Sequence, residues 1–174
     1  MANLRKMLGD PQSDVCVSLM RLMETQSAKT LAAWSIGYAK EHYLTIYEQA
    51  CPGQPRLREI VAACEVYLNG GRKLAEVKPD IKEAAQIGRN AGDAVAQAAA
   101  RAIATACAVI QTPTSALGFL LYGAAATAYS EAGLTQTADV YDELAAAELN
   151  QALDSLRRAA IPDEAYPAKI NWNC

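Results

Sequence analysis

Apolar residues recur every three or four positions along almost the whole chain, the spacing that lays a single stripe along an α-helix. Val15, Leu19, Leu22 and Met23 make the first stripe, behind Ser13, a residue type that caps helix starts. Ile36, Ala39, Tyr43, Ile46 and Ala50 then predict one long helix from Ser27 to Ala50, ended by Cys51-Pro52-Gly53. Pro55 opens the next, with Leu57, Ile60, Val61, Cys64, Tyr67 and Leu68 on one face and Gly70-Gly71 closing it. Pro79 starts another, and Gly92-Asp93 breaks it, with Asp93 recapping the chain. Thr112 caps a helix whose first residue is Pro113 and which Gly133 ends. Thr137 caps the last, where Tyr141, Ala145, Leu149, Ala152, Leu153 and Leu156 lie at core spacing up to Pro162. No strand pattern occurs.

The expected architecture is therefore all-α: one helical bundle of about six to seven mostly antiparallel helices. A single domain covers residues 1–161, and residues 162–174 form an irregular tail. An i+4 ridge of small residues, Gly88, Gly92, Ala96, Ala100, Ala104 and Ala108, runs beside a second one, Ala94, Ala98, Ala102 and Ala106. Smooth ridges let neighbouring helices approach closely, so the Ala-rich segment is expected at the centre.

From Ala102 to Ser130 the chain holds no Asp, Glu, Lys or Arg, which raises the question of a membrane span. The break at Gln111–Ser115 leaves two arms shorter than the ~20 apolar residues a spanning helix needs. With no apolar leader in Met1–Asp14, the expectation is a soluble, cytoplasmic protein. Arg101 is the sole charge between Ala94 and Ser130; it either pairs with a carboxylate or lays its stem along the core edge.

Composition adds exclusions. The 174 residues are 52% hydrophobic and 20% charged, with a formal net charge of −3, values of a globular domain without a general nucleic-acid surface. The charge is uneven: 13 bases against 11 acids in residues 1–101, but eight acids against Arg157 and Arg158 in residues 131–164. Five cysteines, an odd number with no CxxC pair, argue against a disulfide framework or zinc site. Cys16, Cys64 and Cys107 read as buried thiols and Cys174 as exposed. One histidine, His42, leaves no Glu-x-x-His pair for a di-iron centre and no GxSxG elbow for a triad. Phosphate-cradling glycine motifs are absent too. The expectation is no metal, no cofactor and no enzymatic activity.

Two surfaces remain as candidates. Asp139, Asp142, Glu143 and Glu148 should project outward from the last helix and meet a cationic partner, or else serve solubility. Trp34 and Tyr38, one turn apart, either fill the core or line a small-molecule pocket.

The segment "LAAWSIGYAKEHYLTIYEQACPGQPRLREIVAACEVYLNGG" (31–71) resembles a bacterial family known as putative immunity proteins, associated with polymorphic toxin systems. The resemblance lies in Trp34 with Ala39, Tyr43-Leu44, the Pro55-Arg56 corner, Ile60, Tyr67 and Gly70. It continues in "AAARAIATACAVIQTPTSALGFLLYGAAA" (98–126), with Arg101 and the Ala-Leu-Gly that ends at Gly118, followed by Tyr122. Gln111 and Ser115 stand where members of that family often carry histidines. The resemblance spans roughly residues 31–129. It implies an all-helical, non-enzymatic protein that binds and neutralises a cognate protein toxin, with the motif residues structural. The alternative is a helical scaffold or regulatory module for another partner.

Overall fold

A computed structural model describes residues 4–173; Cys174, expected to be exposed, lies outside them. The described chain is all-helical: α1 (Asp14–Met23), α2 (Ala28–His42), α3 (Leu44–Ala50), α4 (Arg56–Leu68), α5 (Leu74–Asn90), α6 (Ala94–Ala108), α7 (Ser115–Ala132) and α8 (Ala138–Ala159). The periodicity predicts these helices with one difference. The Ser27–Ala50 helix is divided into α2 and α3 because it bends at Tyr43, whose φ of −106° leaves the helical value.

Several starts follow the expected cap chemistry. The Ser13, Ser27 and Asp93 side chains accept backbone N–H groups of Cys16, Thr30 and Ala96, satisfying donors that a helix start leaves free. The α4 end is a Schellman turn: Gly70 N–H donates to Tyr67 C=O and Gly71 N–H to Val66 C=O, with Gly70 at φ +83°. A side chain at Gly70 would strain that turn.

Three expectations about helix ends change. Pro79 lies inside α5, which starts five residues earlier, where the Glu76 carboxylate accepts the Lys73 N–H at 3.2 Å. Pro79 sits close enough to the N-terminus for the helix to survive the one bond it removes. Thr112 does not cap α7 with its side chain. Its carbonyl accepts from Ser115 N–H, and Pro113 C=O from Ala116 N–H, so a tight 3₁₀-like turn leads into the helix. Thr137 stands at the α8 N-cap with extended backbone, but its hydroxyl makes no capping bond.

Two helices form the centre. α6 packs against α2, α3, α4, α5 and α7, while α7 packs against α1, α2, α3, α6 and α8. Ala96, Ala100 and Ala104 on one ridge, and Ala98, Ala102 and Ala106 on the other, are buried. The first ridge does not continue unbroken, because Gly92 is exposed in the α5–α6 link. Gly88 is buried, however, and the Arg101 stem lies on it: a Cβ there would sit 3.1 Å from Arg101 Cγ. No described carboxylate pairs with Arg101, so the half-buried side chain runs along the core edge. Among the described residues no helix is long and apolar enough to cross a membrane.

Both ends of the described stretch are tied across the bundle. Leu8 is buried and its N–H donates to Leu121 C=O at 3.1 Å, while the Tyr129 hydroxyl donates to Arg5 C=O. Residues 162–173 carry no helix and cross the α1–α2 corner. There Glu164 accepts from Ser27 N–H and the Thr30 hydroxyl, and buried Gln26 bonds both backbone groups of Ile161. Ala168 N–H donates to Gln26 C=O and Trp172 Nε1 to Glu24.

Ala106 is fully buried where α6 meets its neighbours. Ala106→Glu should cost roughly 3 kcal/mol or more, because an unpaired charge enters a site with no room and no partner. Pro113→Ala, at a half-buried turn, should cost about 1 kcal/mol or less. Urea unfolding of both variants checks the order; comparable losses would contradict close packing around α6.

Candidate functional site

The expectation for the last helix, α8, is that all four of its candidate carboxylates turn outward. Asp139, Asp142 and Glu143 are exposed, but Glu148 is not: it is 5% exposed and faces the core. The inner stripe of α8 holds Tyr141, Ala145, Leu149, Ala152, Leu153 and Leu156 as expected, and Glu148 joins it. Positions 145, 148, 149 and 152 follow the i, i+3, i+4, i+7 template of one helix face.

A buried carboxylate survives when its oxygens are hydrogen-bonded. Glu148 Oε1 accepts from the Tyr38 hydroxyl at 2.9 Å and Oε2 from the Tyr43 hydroxyl at 3.0 Å. Burial pushes the Glu148 carboxyl above the ordinary carboxylate value, and the two phenol bonds offset that only in part. Burial, reinforced by the Glu148 charge, raises both phenols above their usual value, so they remain protonated donors.

The backbone arranges this meeting. Tyr43 stands at the α2–α3 bend, and its ring lies against α7 at Gly123. A Cβ on Gly123 would fall 2.0 Å from Tyr43 Cζ, so any side chain at that position would displace the ring. Phe119, one turn earlier on α7, packs edge-on against Trp34, Tyr38 and Tyr43 at centroid distances of 5.6–6.4 Å. Trp34 donates from Nε1 to Ser155 Oγ at 3.1 Å. Trp34 and Tyr38 thus belong to a filled core, which overturns the pocket reading for that pair. His42 stacks on Tyr38 at 4.2 Å, with its Nδ1 3.5 Å from Gln151 Nε2.

The motif residues lie at helix contacts and turns. Arg56 binds Glu83 with two bonds, of 2.6 and 2.9 Å, and also reaches Asp80 at 3.0 Å and Glu59 at 3.4 Å. This ties the start of α4 to α5 and holds the Glu83 carboxyl below the usual range. Pro55 immediately precedes this cluster and is exposed. Gly118 faces Thr105 across the α6–α7 contact with a Cβ-sized space of 3.5 Å, and Tyr122 lies half-buried against the core. Cys16, Cys64 and Cys107 are fully buried thiols. Among the described residues no three His, Cys, Asp or Glu are placed together to hold a metal.

What remains exposed and charged at the start of α8 is Asp139, Asp142 and Glu143. Asp142 pairs with Arg5, whose side chain is half exposed, a contact of small energetic value in water. Asp139 and Glu143 have no ion-pair partner among the described residues.

Comparison with known proteins gives one family: the model described as Imm-5 like putative immunity protein matches residues 21–156, from α1 into α8. No curated protein and no solved structure matches the chain.

The Glu148 cluster has a calculable pH signature. The folded protein binds the Glu148 proton more tightly than the unfolded chain does. The associated stability is therefore present at low pH and is lost as pH rises from the unfolded value near 4.5 to the raised folded value. Glu148→Gln removes this dependence, so the variant should gain on wild type as pH rises through that window and then run parallel. Tyr38→Phe removes one donor and should cost about 1–3 kcal/mol at neutral pH. Chemical denaturation from pH 4 to 8 tests both. If the Glu148→Gln variant instead loses ground to wild type as pH rises, the burial of the charge is contradicted.

Proposed function

We propose that this chain, which belongs to the Imm-5 like putative immunity protein family, neutralises a partner bacterial toxin by binding it one to one, with no chemistry of its own. The observation that carries this reading is the family match, which runs from α1 into α8 and so takes in most of the bundle. The internal chemistry agrees with a binder. The buried carboxylate and its two phenols are committed to one another, and His42 is stacked on Tyr38.

The partner meets the exposed acidic start of α8. Asp139, Asp142 and Glu143 crowd its first two turns; the helix dipole favours an acid at Asp139, but the mutual repulsion of three like charges opposes that gain. A cationic toxin surface would be steered toward them, which raises the association rate and disfavours partners of the same sign. The Pro55-Arg56 corner is a poorer candidate, because its guanidinium already holds three carboxylates. The protein acts where the toxin would otherwise harm its own cell, in the cytoplasm.

Co-expression with the product of each neighbouring gene tests the reading. The cognate toxin should form a stable complex with this chain and lose its toxicity. Asp139→Lys, Asp142→Lys and Glu143→Lys together should leave the melting temperature nearly unchanged and slow association about tenfold at low salt. That difference should shrink at high salt. An unchanged rate in the triple variant would remove α8 as the steering face.

A further inference from the structure

A second surface lies away from the acidic start of α8, where the start of α2, the end of α4 and the end of α6 converge. They enclose an open cleft of about 730 Å³. Its apolar lining comes from Ala32, Leu68 and Ile110, and its mouth carries Lys29, Asn69 and Arg72. No acidic residue is among the described lining residues. The Tyr67–Gly70 stretch, part of the family-like "YLNGG" turn, forms one wall.

The charged groups at the cleft are both cations, Lys29 and Arg72. The α4 carbonyls of Val66 and Tyr67 accept from the two glycine N–H groups of the Schellman turn. Lys29 has no carboxylate partner among the described residues. Arg72 reaches Asp80 through Nη1 alone, at 3.4 Å, and Arg56 shares that same carboxylate at 3.0 Å. Two exposed cations and a carboxamide over an aliphatic lining match a carboxylate that stands beside apolar side chains.

Beside the start of α2 the C-terminal tail presents an exposed aromatic side chain. Tyr166 is 91% exposed with φ +56°, an uncommon conformation for a residue with a large side chain. Tethers on both sides restrain its backbone: Glu164 caps α2, and Pro167 and Ala168 pair with Ser27 and Gln26. Ser27 directly precedes Ala28 and Lys29 of the cleft. A core-sized aromatic held in water by a strained, tethered backbone has the character of an interface anchor.

We infer that this cleft is a second docking surface, which receives an extended segment of the protein partner carrying an acidic side chain next to aliphatic ones, with Tyr166 closing over it. The inference rests on the binding role proposed above and assigns to it a face of opposite charge from α8. The partner would then present a cationic patch to α8 and an acidic, apolar segment to the cleft. A two-signed match of this kind discriminates between partners more strongly than one patch does.

The test uses a random peptide library displayed on phage and panned against the full-length protein. Enriched peptides should carry Asp or Glu beside Leu, Ile or Phe. Labelled copies should bind wild type and weaken about tenfold or more with Lys29→Glu plus Arg72→Glu, and also with Tyr166→Ala. The Lys29→Ala plus Arg72→Ala variant should weaken them to a smaller degree, and the triple lysine variant of α8 should leave them unchanged. No enrichment, peptides without acids, or binding indifferent to the cleft variants would overturn the inference. The cognate toxin, assayed in parallel, separates the two readings. If it binds wild type and the cleft variants equally, the cleft is excluded and the immunity role stands. If no neighbouring product binds while the peptides behave as expected, the cleft stands and the immunity role falls.

Discussion

One buried carboxylate links the two halves of this bundle. Glu148 on α8 is shared between the Tyr38 hydroxyl on α2 and the Tyr43 hydroxyl at the α2–α3 bend. Removing either phenol leaves a carboxyl oxygen in the core without its partner, and that cost fixes where α8 lies on α2. Several other features serve the same contact. The chain bends at Tyr43, α7 carries glycine at 123 so that the ring can lie against its backbone, and Phe119 fills the space between the rings. An apolar residue at 148 would be left facing two buried hydroxyls. The arrangement specifies one packing of α2, α7 and α8 more than it adds stability.

Around this contact the fold relies on small residues. Alanine ridges on α6 allow that helix to touch five others, and α7 likewise touches five. Large side chains come from the surrounding helices, as Leu19, Met23, Leu31, Leu57, Ile60 and Leu149, and at fewer positions from the pair itself, as Ile103, Phe119 and Leu120. The interior leaves little that a ligand or substrate can reach. The surface is where the charges are free: an acidic start of α8 and, on another face, a cleft with Lys29 and Arg72 at its mouth. That division, inert inside and polarised outside, agrees with the binding role proposed above.

Much of this was legible in the sequence. Ser13, Ser27 and Asp93 cap where short polar side chains precede a periodic stripe, and Gly70 ends α4 because the chain there needs positive φ. Each signal is local, so no tertiary knowledge was needed. Pro79 misled because a proline near a helix start resembles a proline at it, and the weaker Lys73–Glu76 signal marked the true beginning. Glu148 misled for a different reason. Its spacing from Ala145 and Ala152 placed it on the inner face, but its charge argued for the outside. The deciding facts, two hydroxyls more than a hundred residues away, appear only when α2 and α8 are brought together. The Lys29–Arg72 cleft was equally invisible, since its lining comes from three separate regions of the chain.

The central claim is that the molecule acts by occupancy and not by turnover. Titration of a fixed amount of cognate toxin with this protein, reading residual toxin activity at concentrations far above the dissociation constant, tests it most directly. The account predicts a linear fall that reaches zero at one molecule of this chain per toxin and recovers when the complex is separated. Loss of toxin activity at a small fraction of that ratio, continuing with time and surviving removal of this protein, would contradict it.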